Sequence, residues 1–379
     1  MCKEMNIFSL ERTVDKINAQ GLLINQEALS RHYAEQEKIK ADAEKAIRNV
    51  IPESISLNSH PKVADYFFNV LGFTPISYSE KTNKPSLDKE SLEQYAKHSG
   101  LAQALLTYRE AKSAISMLTN IDKAIVNGRI YPRLNINGTV SGRFTSSTGK
   151  AGNSVNMQNI KKEFRDIIKA EGTMVTYDYK NMEYIVSACV AKQFDVIEEF
   201  KKGKDAHTQL AEQLVVPRST AKTLNLAINY GMSPYGVSKR IGTTEDEAKV
   251  IIKRYWDLKP RVLSYKKRII ARSRELGFLK TWYGLAVPTR GISDEQIWAT
   301  FIQGTAADLL KLALVTIDKY LTETNTGKII MTVHDSITID INKDISQEEK
   351  ERTIANVHNI MCNVDEDFTL FADIKQGEW

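Results

Sequence analysis

Arg218-Ser-Thr-Ala-Lys222-Thr-Leu-Asn-Leu226-Ala-Ile-Asn-Tyr230-Gly231 is the stretch on which the reading of this chain turns. Residues four apart on a helix are neighbours, so Arg218, Lys222, Leu226 and Tyr230 form a slowly drifting stripe with two cations at one end and an aromatic ring at the other. That stripe suits a nucleoside triphosphate: charge for the phosphates, flat or apolar groups for the sugar and base. An aspartate at the end of a β-like run stands on either side of it in the chain, Asp178 after Met174-Val-Thr-Tyr177 and Asp335 after Ile330-Met-Thr-Val-His334. Phosphoryl transfer to a sugar hydroxyl uses two divalent metals held by hard oxygen ligands, and carboxylates on rigid strands supply them.

The composition sets the frame for this reading. At 379 residues the chain is long for one domain and has room for two or three subdomains. Apolar residues make up 42% and charged residues 26%, the balance of an ordinary globular protein. No apolar run approaches about 18 residues, and the first residues lack the basic-then-apolar layout of a signal peptide. The expectation is therefore a cytoplasmic protein of a bacterial or phage-infected cell with no membrane partner. Cys2, Cys189 and Cys362 are far apart and odd in number, which argues against a disulfide framework and against a cysteine zinc site. A net charge of +5 leans toward a polyanionic partner.

Helical periodicity is expected across residues 11–51, with a short interruption at 22–25, then in 63–71 and again in 91–123, after a polar loop. A turn-rich loop follows from Gly138 to Gln158. Its Gly149-Lys150 invites comparison with a phosphate-binding loop, but that motif needs glycine at Phe144 and Ser or Thr at Ala151. Residues 173–178 read as a strand, 206–312 as mostly helix with loops at Gly242 and at 282–291, and 328–341 as a β-hairpin turning at His334-Asp-Ser336.

With these pieces in order, the chain resembles the family A DNA polymerases over nearly its whole length. Tyr177-Asp178-Tyr179-Lys180-Asn181-Met182-Glu183-Tyr184 is similar to motif A (DYSQIELR), Arg218 to Gly231 to motif B (RxxxKxxxFxxxYG), and Val333-His334-Asp335-Ser336 to motif C (VHDE). Ser141-Gly-Arg143 resembles the TGRLSS segment, Gln158-Asn159-Ile160 the QNIP segment, Asp205-Ala-His207-Thr208 the DIHT segment, and Gln303 to Leu309 reads QGTAADL. The resemblance implies an α+β, right-hand architecture with an antiparallel-sheet palm, helical fingers and a helical thumb. The N-terminal palm segment would be 1–29, the thumb 30–130, the palm with motif A 131–202, the fingers 203–302 and the palm with motif C 303–379. It implies template-directed addition of deoxynucleotides to a primer 3′ end. Asp178, Asp335 and the Tyr179 carbonyl would hold two Mg²⁺ ions, with Mn²⁺ as a substitute. Arg218, Lys222 and His207 would hold the triphosphate, with Leu226 and Tyr230 against the sugar and Glu183 closing off its 2′ position. Arg143, Gln303, His334 and Asn159 would contact the primer-template DNA. A separate exonuclease, helicase or processivity factor would be an optional partner, because the chain opens directly on polymerase-like sequence and is expected to carry no proofreading domain.

Departures from the family pattern bear on the same site. Ser336 stands where motif C ends in Glu, Ile185 where motif A ends in Arg, and Leu226 where motif B has Phe. Gly284-Leu-Ala-Val287 replaces an arginine-rich turn, and Ala299 replaces an Asn. Two other readings compete. One is a single-subunit, phage-type RNA polymerase, against which the Glu183 carboxylate and the short chain argue. The other is a catalytically silent DNA-binding replication factor, against which both aspartates argue.

Overall fold

The structure, a computed structural model, describes residues 6–79, 82–147, 155–203, 206–377 and 379; the side chains of Ser147, Ala206 and Leu226 lie outside the description. The chain divides into two compact units, residues 24–130 with 160–168, and the remainder.

The first of these units is helical. Its long helices Gln26–Arg48 and Gly100–Lys123 pack against each other, and each begins at a polar cap. Asn25 Oδ1 accepts from the Ala28 amide at 3.3 Å and Ser99 Oγ from the Ala102 amide at 3.3 Å, satisfying donors that a helix start otherwise leaves open. Ala102, Leu105, Tyr108, Ala111, Ala114, Leu118 and Ile121 form a buried stripe at helical spacing. Sequence periodicity suggests one helix over 91–123, but the chain forms Lys89–Ala96 and then Gly100–Lys123, restarting at the Ser99 cap. Likewise 63–71 is divided between an α-helix, His60–Asp65, and a π-helical turn, Tyr66–Val70, where Phe67 stacks on Phe73 with ring centroids 4.0 Å apart.

The other unit is built on a four-stranded antiparallel sheet, in the order Ala372–Gln376, Thr173–Tyr179, Ser336–Ile341, Gly327–Val333. Strand alternation sends Val175, Tyr177 and Tyr179 to one face. There the Tyr177 and Tyr179 hydroxyls donate to the Ile354 and Met361 carbonyls, at 3.2 and 2.9 Å, of the helix Gln347–Cys362. On the opposite face Thr176 and Thr338 pair hydroxyl to hydroxyl at 2.9 Å, and Asp178 continues that row to the strand end. Every residue of the Ser336–Ile341 strand is buried.

The 31-residue helix Asp294–Thr324 runs through the core of this unit, started by a capping box between Ser293 and Gln296. It is long and apolar enough to span a membrane, but 72% of its most apolar window is buried in the protein, as in a core helix. Gly304 sits where this helix passes the loop before Arg143. A β-carbon there would meet Thr281 Cγ2 at 2.5 Å and the Ser141 carbonyl oxygen at 3.2 Å, so only glycine allows the approach. Residues 282–291, expected as a loop, include half of a small hairpin, Phe278–Lys280 with Ala286–Pro288. Ser336, expected in the turn after His334, is instead the first residue of a strand.

Candidate active site

Sheet register brings the two aspartates together. Ser336 lies opposite Asp178, so Asp335, one residue earlier in the hairpin connection, reaches the same sheet end. The Tyr179 amide donates to the Asp335 carbonyl at 3.2 Å and closes the arrangement from the backbone. His334 turns the hairpin at φ 54°, a left-handed conformation that costs a β-carbon-bearing residue about 1–2 kcal/mol, and it leaves the imidazole exposed beside the carboxylates.

The electrostatics set two carboxylates of this sheet end apart. Asp335 is held above the ordinary carboxylate range, first by burial and also by the negative charge of Asp178; Arg143 and His334 oppose this without cancelling it. Glu183, in the first turn of the helix Met182–Val190, is raised too, by burial and by Asp335, with Arg143 pulling the other way. The Arg143 guanidinium pairs directly with the Glu183 carboxylate. Two further cations escaped the sequence reading. Lys375 Nζ lies 3.9 Å from Asp178 Oδ2, and Lys180 pairs with Asp373, the cross-strand partner of Asp178, at 2.6 Å.

The motif B stretch forms the helix Arg218–Asn229. Its outer face exposes Arg218 and Lys222; its inner face buries Ala221, Leu224, Asn225, Ile228 and Asn229. Tyr230 follows at the C-terminus, its hydroxyl buried without a hydrogen-bond partner among the described residues, and Gly231 takes the left-handed conformation at φ 76°. Two buried asparagines attach the inner face to the rest of the unit. Asn225 Oδ1 accepts from the Tyr255 hydroxyl at 2.9 Å and from Lys259 Nζ at 3.0 Å, and Asn229 Oδ1 accepts from the Trp298 indole at 3.4 Å. Trp298 belongs to the long helix that carries Gln303, and Lys259 lies against Tyr184, the neighbour of Glu183. Motifs A and B and the QGTAADL segment are thus tied together through buried polar contacts.

Of the remaining expected residues, His207 is buried at the start of the helix Ala206–Leu214, Gln303 is half-buried, and Asn159 is exposed in a 3₁₀ turn, Met157–Asn159. Asp205, Gly149-Lys150 and the Leu226 side chain lie outside the described residues.

An antiparallel sheet presenting paired carboxylates at one end, in a unit that also carries a cationic helix, is the arrangement of nucleotide polymerases. The profile of DNA polymerase family A matches residues 26–378, and the chain belongs to that family. It is 28% identical over 368 residues to the thermostable DNA polymerase I of Thermus filiformis, covering 90% of this chain and 44% of that protein. It is likewise 28% identical over 363 residues to DNA polymerase I of Lactococcus lactis subsp. cremoris, covering 88% and 40%. The chain thus spans less than half the length of these relatives. Among solved structures, the POL domain of Pol1 from M. smegmatis, in complex with DNA primer-template and dNTP, superposes with a TM-score of 0.86 over 98% of this chain and 69% of that one, at 23% identity. The fold is therefore that of a family A polymerase domain.

Proposed function

We propose that the chain is a template-directed DNA polymerase that adds deoxynucleotides to a primer 3′ end. The observation that carries this reading is the register that sets Asp335 beside Asp178 at one sheet end, in a member of DNA polymerase family A. Members of the family use divalent metals, and the donors here fit them: two carboxylates that the sheet register brings to one strand end. Mg²⁺ is commonly held by one or two carboxylates plus substrate and water oxygens, so Asp178 and Asp335, with Tyr179 beside them, would hold two Mg²⁺ ions or Mn²⁺ in their place. Bound there, the metals would lower the pKa of the 3′-hydroxyl and hold the leaving pyrophosphate.

The chain's own side chains supply the remaining functions. Arg218 and Lys222 would present exposed cations to the triphosphate, with His207 as a further donor to it. Glu183, fixed by Arg143, blocks a ribose 2′-hydroxyl, and this favours dNTPs over NTPs and weighs against the RNA polymerase reading. Tyr230 would pack against the sugar, as would whatever motif B supplies at position 226, here Leu226. Arg143, Gln303, His334 and Asn159 contact primer-template DNA, where minor-groove acceptors are shared by all base pairs and allow shape to be tested without reading sequence. Residues 30–130 act as thumb, 203–302 as fingers, and 1–29, 131–202 and 303–379 as palm. Single-nucleotide primer extension with dNTPs, with NTPs and without divalent metal tests the reading. Metal-dependent extension with a strong dNTP preference is expected. Extension with NTPs alone would establish the RNA polymerase reading, and primer binding without any extension would establish the silent replication factor.

A further inference from the structure

Lys259 is 5% exposed and forms no ion pair among the described residues. Its ammonium lies 3.9 Å from the ring centroid of Tyr255 and 4.2 Å from that of Tyr184, and it donates to Asn225 Oδ1 at 3.0 Å. Burying a lysine without a carboxylate is expensive, and an apolar side chain would stabilise this position more cheaply. Burial alone pushes its pKa well below the usual lysine range, while two ring faces and an amide oxygen hold the cation in place. The three groups it touches belong to different parts of the site. Tyr184 follows Glu183 on the helix Met182–Val190, Asn225 is one turn beyond Lys222 on the helix Arg218–Asn229, and Tyr255 belongs to the helix Glu245–Asp257.

We propose that Lys259 is a positioning residue for nucleotide selection: held between Tyr184 and Tyr255 and bonded to Asn225, it ties the inner face of the triphosphate-binding helix to the helix that carries Glu183. It touches no substrate. Its effect is to fix the spacing between the cation that meets the phosphates, Lys222, and the carboxylate that meets the sugar, Glu183. A misplaced pair would bind the incoming nucleotide loosely and would discriminate less between ribose and deoxyribose. The inference rests on the polymerase reading above, so wild-type primer extension is the first arm of its test. Absence of extension by the wild type would overturn that reading rather than this one.

The second arm is Lys259→Met, which keeps chain length and removes the charge, assayed by single-nucleotide incorporation. KM for dNTP should rise on the order of tenfold or more while kcat changes about threefold or less, and the preference for dNTP over rNTP should fall. Lys259→Arg, which restores a cation able to stack on both rings, should recover most of the loss. A cooperative melt with wild-type KM and wild-type sugar discrimination in Lys259→Met would overturn the proposal. If that variant does not melt cooperatively, Tyr184→Leu, at a half-buried position, removes one ring face and leaves the lysine in place. The same KM rise would then uphold the proposal, and an unchanged KM would overturn it.

Discussion

Asp178 and Asp335 stand at the end of a sheet whose central strand is buried at every residue, whereas Arg218 and Lys222 project from a helix whose inner face is held partly by amides and a buried ammonium. The first foundation is apolar and backbone-bonded: Ile337, Ile339 and Ile341 are fully buried, and ladder hydrogen bonds fix register on both sides. The second is a smaller cluster of Leu210, Leu224, Ile228, Val237 and Tyr255, completed by polar contacts that are directional and individually worth about 1 kcal/mol. Metal-dependent chemistry demands carboxylates that do not shift, and packing supplies that. On the proposed function, nucleotide capture would need cations at a defined distance from a sugar gate, a demand that directional polar contacts suit. Substitutions should accordingly separate into those that abolish chemistry and those that alter selection.

The largest effect is expected at the sheet end. Asp178→Ala or Asp335→Ala should reduce primer extension by roughly a thousandfold or more, because each would remove a ligand of the proposed two-metal site. Ile339→Ala, within the same strand, should instead cost about 2–5 kcal/mol of stability. Near-normal turnover in either aspartate variant would break the comparison at its firmer side.

On the helix side, Lys222→Ala should raise KM for dNTP on the order of 10- to 100-fold, the value of a charge-assisted contact to phosphate, with little change in melting temperature because the side chain is exposed. Between the two lies Glu183. Its replacement by Ala should improve the ratio of rNTP to dNTP incorporation about tenfold or more if, as proposed, the carboxylate occupies the space of the 2′-hydroxyl. An unchanged ratio would leave Glu183 as the ion-pair partner of Arg143 and nothing else.

Asp335 also makes a prediction about stability. Its carboxyl titrates above the ordinary range because burial and Asp178 both disfavour the charged form. A folded pKa above the unfolded value means that ionised Asp335 opposes folding at neutral pH, and that this penalty disappears as pH falls through the raised value. In chelator-treated buffer near about pH 7, Asp335→Asn should therefore melt higher than wild type, with the difference closing on acidification. A lower melting temperature at neutral pH would show that the carboxylate is satisfied by a cation already in the chain.

Much of this was legible in the residues themselves. The strands ending at Asp178 and Asp335 announce themselves by β-branched and aromatic runs, and the cationic stripe by its spacing of four. The strand Ala372–Gln376, hydrogen-bonded to the one carrying Asp178, gave no such signal: four of its five residues are exposed, so it lacks the alternation by which strands are recognised. Lys259 was equally hidden, since a lysine between Leu258 and Pro260 reads as surface and only tertiary packing surrounds it with rings. The π-helical turn at Tyr66–Val70 carries Phe67, whose ring meets those of Phe73 and Tyr95, and no local rule signals it.

Ser336 should produce the smallest effect, and its size sharpens the comparison. It is the cross-strand partner of Asp178 and stands where the family pattern carries a third carboxylate, so a chemical role would place it among the metal-holding groups. Its environment points elsewhere. The hydroxyl is buried and donates to the Val333 carbonyl at 2.8 Å, while the Ser336 carbonyl accepts from the Thr332 hydroxyl at 2.8 Å, so both bonds lie within the hairpin that presents Asp335. Ser336→Ala removes one neutral hydrogen bond and leaves the register intact, which should cost about 1 kcal/mol of stability and change kcat about threefold or less. A loss approaching that of Asp335→Ala, with an unaltered melting temperature, would mean that the hydroxyl takes part in the chemistry and that the site's oxygen donors extend one residue further along the strand.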